Sequence, residues 1–157
     1  MSIIDALARI YVIQAGLKIT APVSLKVKKV WPFFPDASVQ VPDFPCFMNE
    51  MTALPVDERR MMSQRERLYE VHMQFMAAKA TVEDARSAQI ALRFWKAAED
   101  AFDADIGLKV GGVNTVTLAL LRGGSPTVPV VLQRGGESFI GFDATLAIRI
   151  EEEYLWS

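Results

Sequence analysis

The sequence predicts an α+β fold, a two-layer sandwich in which a mixed, mostly antiparallel sheet is flanked by two helices and closes with a C-terminal β-meander. Three observations predict it. Gly111-Gly112, Gly123-Gly124 and Gly135-Gly136 fall at a strict twelve-residue spacing. Glycine tolerates the positive φ that tight hairpins need, so pairs spaced this way mark the corners of a meander. The last segment alternates cleanly: Ala144, Leu146, Ile148 and Ile150 take one face, and Asp143, Thr145, Arg149 and Glu151 the other. Finally, apolar residues recur at three- and four-residue steps in two separate stretches, one at the N-terminus and one in the middle of the chain, which supplies the helices.

The first helix is expected over about 3–17. Ser2 can cap it, with Asp5 three residues on at the positive end of the helix dipole. Ile3, Leu7, Ile10 and Tyr11 form its expected buried stripe, and Ile4, Val12 and Ile13 widen that stripe beyond one face. So broad a stripe implies contact with the sheet and with something else. Residues Leu25–Trp31 alternate weakly and can make a short strand with Lys26 and Lys28 outward. The chain then turns irregular, because six of the eight prolines lie between Pro22 and Pro55 and proline removes ladder donors and restricts its predecessor. A short strand around Cys46–Met51 is the only regular piece expected in this excursion, which covers about 32–55. A connection of that length is usually functional or interfacial when it carries aromatics.

Arg67–Met76 reads as a strand with Tyr69, Val71, Met73 and Phe75 toward the core and Glu70, His72 and Gln74 away from it. Thr81, with Asp84, then caps a helix to about Phe102. Its repeating Val82, Ala85, Ala88, Leu92, Trp95 and Phe102 should lie across one sheet face. Strands near Val113–Leu121, Thr127–Gln133 and Ser138–Glu152 complete the expected meander, the middle one weakened by Pro126 and Pro129.

A chain of 157 residues is the size of one domain, spanning 1–157, and buries roughly two-thirds of its unfolded surface. A net charge of −2 with pI near 5.5 gives no global drive toward nucleic acid. The single Cys46 excludes an internal disulfide and a cysteine-rich zinc site, suits a reducing compartment, and reads as a small apolar filler. Asp5, Arg9, Gln14 and Lys18 interrupt Ile3–Ile19, which falls short of the roughly 20 apolar residues of a membrane span and lacks a basic leader. The expectation is a protein kept inside the cell that makes it, without a membrane contact. At 51% hydrophobic residues and no span, the apolar excess is expected to go into subunit contacts.

No constellation carries chemistry. His72 is the lone histidine, on a strand's polar face beside Glu70 and Gln74, and a zinc site needs about three or four ligands. Each glycine pair is followed by strand-like residues, so neither a Walker loop nor a dinucleotide fingerprint is present. The carboxylates at Glu99-Asp100, Asp103/Asp105 and Glu151–Glu153 end a helix and a strand and read as solvated faces. Arg59, Arg60, Arg65 and Arg67, with Lys26, Lys28 and Lys29, could make a basic patch but are interleaved with Asp57, Glu58 and Glu66. No catalytic residue, cofactor or metal is therefore expected.

In this order of elements the chain resembles the tail-terminator, or tail-completion, proteins of long-tailed bacteriophages. The resemblance rests on the helix Ile3–Leu17, on Trp31-Pro-Phe-Phe-Pro leading into Val41-Pro-Asp-Phe-Pro-Cys-Phe, on the strand Leu68–Met76 with the helix after Thr81, and on Phe139-Ile-Gly-Phe through Ile150. It spans nearly the whole chain and is one of layout, since the family carries no invariant motif. It implies a homohexameric ring at the neck end of the virion tail, made in the host cytoplasm. Such a ring caps the tail-tube protein, stops its polymerisation and joins the head-side connector protein. Double-stranded DNA passes through its lumen without sequence recognition. The aromatics Trp31, Phe33, Phe34, Phe44 and Phe47 are the expected subunit or tube contacts. The alternatives are a head-closure or head-tail connector protein of the same neck, and, from another class, a small α+β enzyme or ligand-binding protein with a pocket near His72.

Overall fold

The structure, a computed structural model, describes residues 3–31, 43–61, 64–80, 84–123, 130–134 and 136–153. Its elements are α1 (Ile3–Gly16), β1 (Lys18–Ile19), β2 (Leu25–Lys26), β3 (Lys29–Trp31), β4 (Cys46–Met61), β5 (Gln64–Lys79), α2 (Asp84–Asp103), β6 (Leu118–Gly123), β7 (Val130–Arg134) and β8 (Glu137–Glu153). One sheet runs β3-β4-β5-β8-β6, with β7 also on β8; β1 and β2 form a separate antiparallel ribbon. Only β3 against β4 is parallel. The fold class is α+β, with a mixed, mostly antiparallel sheet and two helices.

Alternation decides which side of the sheet the helices cover. Phe47, Val71, Met73, Phe75, Phe142, Ala144, Leu146 and Ile148 are buried in one cluster with Ala6, Ile10 and Ile13 of α1 and Ala91, Phe94, Ala98 and Phe102 of α2. At its centre Phe75 stacks on Phe142 with ring centroids 4.9 Å apart, and meets Phe94 at 4.7 Å and Phe47 at 5.0 Å. Such aromatic pairs add about 0.5–1.5 kcal/mol each beyond their burial. Near one end of β4, β5 and β8, residues that alternate with these core positions point to the opposite face of the sheet. A second, smaller core forms there from Cys46, Met48, Met76, Leu132 and Phe139, with Trp31, Phe44 and Val130 packed against it.

Several expectations change. The expected short strand at Cys46–Met51 is a sixteen-residue strand, β4. It pairs with β5 from Cys46↔Met76 to Met61↔Gln64 and absorbs Pro55 where the register slips between Ala53 and Asp57. The C-terminal strands also connect differently. Gly111-Gly112 turns a tight bridge, Val110↔Val113, with both glycines at positive φ, and Gly136, also at positive φ, precedes Glu137, the partner of Arg134. Gly123, however, ends β6, and β6 and β7 lie end to end along one edge of β8 rather than side by side. In α2 the buried stripe is rotated from the expected one: Ile90, Ala91, Phe94, Ala98 and Phe102 are buried while Leu92 is 50% exposed. Tyr11, expected in the buried stripe of α1, is 44% exposed. The caps at Ser2 and Thr81, Val82, and Pro126 and Pro129 lie outside the described residues.

Candidate interaction surfaces

Of the five aromatics expected at an interface, Phe33 and Phe34 lie outside the described residues. Phe47 is corrected: it is fully buried, its ring on Phe75 and Phe142, because its position in β4 faces the helices. It belongs to the chain's own core. Trp31 and Phe44 are half-buried against the second core, Phe44 at 5.8 Å from Phe139. They line one end of the sheet face that α1 and α2 do not cover.

The larger apolar surface is on α1. Around this helix only Asp5, Arg9 and Gln14 are polar. Ala6, Ile10 and Ile13 face the core, yet Ile4 (75% exposed), Val12 (55%), Tyr11 and Ala8 share the opposite face and stand in solvent in the single chain. A helix apolar on all sides is normally buried on all sides. The width of the stripe was the sequence signal for this surface.

Asp105 ties α1 to a projecting loop. One carboxylate oxygen accepts from Arg9 Nε at 2.9 Å and the other from the Lys109 backbone N–H at 2.9 Å. Thr115 Oγ1 donates to the Leu108 carbonyl at 2.7 Å, and the Val110–Val113 bridge closes the tip. Ile106, Val110 and Val113 on this loop are exposed. Val113 was expected to start a strand, and nothing in the sequence marked Ile106 or Val110. Burial pushes the Asp105 carboxyl up, but the hydrogen bonds from Lys109 and Arg9, with their charges, outweigh it and hold the group below its ordinary value. A carboxyl depressed on folding stabilises the fold above its unfolded pKa and loses that contribution as pH falls through the folded value. Arg9 is a third exposed, so solvent screens part of the pair. Asp105→Ala is expected to cost about 1 kcal/mol at pH 7 and to remove part of the wild type's loss of stability below about pH 4, which urea titrations at pH 7 and pH 3 measure.

His72 sits on the sheet face away from the helices, as expected. Its Nδ1 lies 3.1 Å from Thr145 Oγ1 and its Nε2 3.4 Å from Glu70 Oε2. The groove around it is also lined by Glu50, Gln74 and Asp143. A hydroxyl, an imidazole and a carboxylate in line are the parts of an activated nucleophile. Here His72 and Glu70 are 40% and 35% exposed, so water competes at each member. The backbone beside Thr145 is spent on the ladders to β5 and β6, which removes those N–H groups as oxyanion donors.

Cys46 is buried, and burial, with the charge of Asp43, pushes its thiol up to about 12, far from a reactive thiolate. Among the described residues no group of three or more His, Cys, Asp or Glu side chains could hold a metal ion, and no helix is long and apolar enough to cross a membrane. No protein-family model matches the chain, and no curated protein matches it.

Proposed function

We propose that the chain is a tail-terminator protein of a long-tailed bacteriophage, a structural virion component without catalytic activity. In this reading it forms a homohexameric ring on the tail tube at the neck end. The ring ends polymerisation of the tube protein, offers its upper surface to the head-side connector, and lets double-stranded DNA through. The sequence resemblance motivates the reading. The observation that carries it is the outer face of α1, where Ile4, Ala8, Tyr11 and Val12 present an apolar strip on a helix already anchored by its other face. Strips of that kind mark subunit contacts. A second feature supports assembly: β3 pairs only with Cys46–Met48, so among the described residues the edge of β4 beyond Met48 has no partner strand, and open edges invite pairing with another chain.

Added to tube protein polymerising in vitro, the purified chain is expected to cap the ends and shorten the tubes without copolymerising along them. The double variant Ile4→Asp with Val12→Asp is expected to stay folded and lose both the ring and the capping. Tube lengths unchanged at excess wild-type protein reject the terminator reading even where rings form. Rings that ignore the tube but bind the head-side connector support instead a head-closure or connector protein. The enzyme reading is attached to the Thr145–His72–Glu70 line, and His72→Ala is expected to leave capping and infectivity intact.

A further inference from the structure

Between Asp5 and Asp36 the chain carries Arg9, Lys18, Lys26, Lys28 and Lys29 and no acidic residue. Arg9 is taken by Asp105, and Lys29 Nζ lies 4.9 Å over the Trp31 ring. Lys18, Lys26 and Lys28 are exposed and have no ion-pair partner among the described residues. The ribbon places Lys18 directly opposite Lys26, a like-charge pairing that weakens a two-stranded element. It is held in place by Val27 N–H to the Leu17 carbonyl and Lys28 N–H to the Pro45 carbonyl, at 3.2 and 2.8 Å. The acids interleaved with the arginines, Asp57, Glu58 and Glu66, lie on β4 and β5, and Asp43, two residues before the Pro45 that accepts from Lys28, makes no ion pair with these lysines.

A surface of opposite sign and equal imbalance ends α2. Glu99, Asp100 and Asp103 occupy its last turns, and no basic residue accompanies them in the last turn. Carboxylates at this end meet the negative pole of the helix dipole, where cations are favoured. Among the described residues Lys96, 3.0 Å from Asp100, is the ion-pair partner that offsets them. Each patch is unfavourable within one chain, and each is what the other lacks.

We infer that the lysines of the β1–β2 ribbon dock on the acidic end of α2 of a second copy of this chain. One patch meeting a different patch on the neighbour is the head-to-tail contact that closes into a ring. The inference deepens the ring proposed above and rests on it.

The test is the assembly state by sedimentation velocity, from about 50 to about 500 mM NaCl, across which screening of exposed charges becomes severe. The wild-type assembly is expected to loosen as salt rises. Lys18→Glu, Lys26→Glu and Lys28→Glu together are expected to raise the concentration needed for assembly at least about tenfold. The melting temperature of the monomer should hold, since all three side chains are exposed. Glu99→Lys, Asp100→Lys and Asp103→Lys together should do the same, and a chain carrying both sets should assemble again because the charges are swapped and still complementary. A ring whose assembly ignores both reversals overturns this contact and leaves the ring standing. A wild type that is monomeric at every salt concentration removes the ring and the contact together. Salt-sensitive binding of a short DNA duplex that is lost on lysine reversal, with assembly unchanged, assigns the ribbon to phosphates and overturns the inference.

Discussion

Gly141→Ala is expected to cost about 4 kcal/mol or more, a large part of the stability of a domain this size. Gly141 faces Met76 in the β5–β8 ladder, one step before the register shift between Met76 and Ala78. A methyl group there would fall on the carbonyl oxygen of Phe75 and within 2.7 Å of its carbonyl carbon. Those atoms are backbone and belong to the residue whose ring lies at the centre of the aromatic cluster, so they can yield only by moving β5 away from β8. That movement would open the contact between Phe75 and Phe142 as well. Gly16→Ala is the control, because nothing lies within 4 Å of the position its Cβ would take. Urea denaturation compares the two. The account fails if Gly141→Ala unfolds at the same midpoint as the wild type.

Why the sequence showed some of this and hid the rest follows from the range of the forces involved. The faces of β5 and β8 were legible because period-two alternation is local, and Tyr69, Val71, Met73 and Phe75, like Ala144, Leu146, Ile148 and Ile150, are buried as read. The presence of α2 was legible, but its rotation was not. Small Ala91 and Ala98 are buried while Leu92 is exposed, and only the shape of the opposing sheet decides that. The length of β4 was hidden by Pro55 and by the prolines before it, since that length is set by antiparallel pairing with the next strand, β5, across a register slip that absorbs Pro55. The twelve-residue glycine period suggested three equivalent corners, yet β8 is long enough to take β6 and β7 one after the other along the same edge. The apolar strip on α1 was visible as a stripe too broad for one contact, whereas the loop carrying Val110 and Val113 had no local signature.

Gln14 interrupted the apolar run of α1 in the sequence and could have been an outward residue. It is fully buried instead, and it is joined to Asn49 of β4 by two reciprocal amide hydrogen bonds of 2.8 and 2.7 Å. Gln14 Nε2 also approaches Met73 Sδ at 3.6 Å, and Asn49 Nδ2 donates to the Trp31 carbonyl at 3.3 Å. Removing one amide leaves the other buried without its partner, so Gln14→Leu and Asn49→Leu are each expected to cost about 2–3 kcal/mol. The double variant, with two apolar groups of similar size in contact, is expected to be far more stable than the sum of the single losses predicts, with a coupling of about 2 kcal/mol. Additive losses in urea denaturation of the four chains would falsify the coupling. The pair has a second consequence, because its two bonds can be made in only one rotation of α1 on the sheet. That rotation points Ile4, Ala8, Tyr11 and Val12 outward. An apolar pair constrains the rotation less than a hydrogen-bonded one. The double variant is therefore expected to keep most of its stability and yet assemble with a weaker concentration dependence than the wild type. A double variant that assembles as sharply as the wild type would mean that packing of Ala6, Ile10 and Ile13 orients the helix without help from the amides.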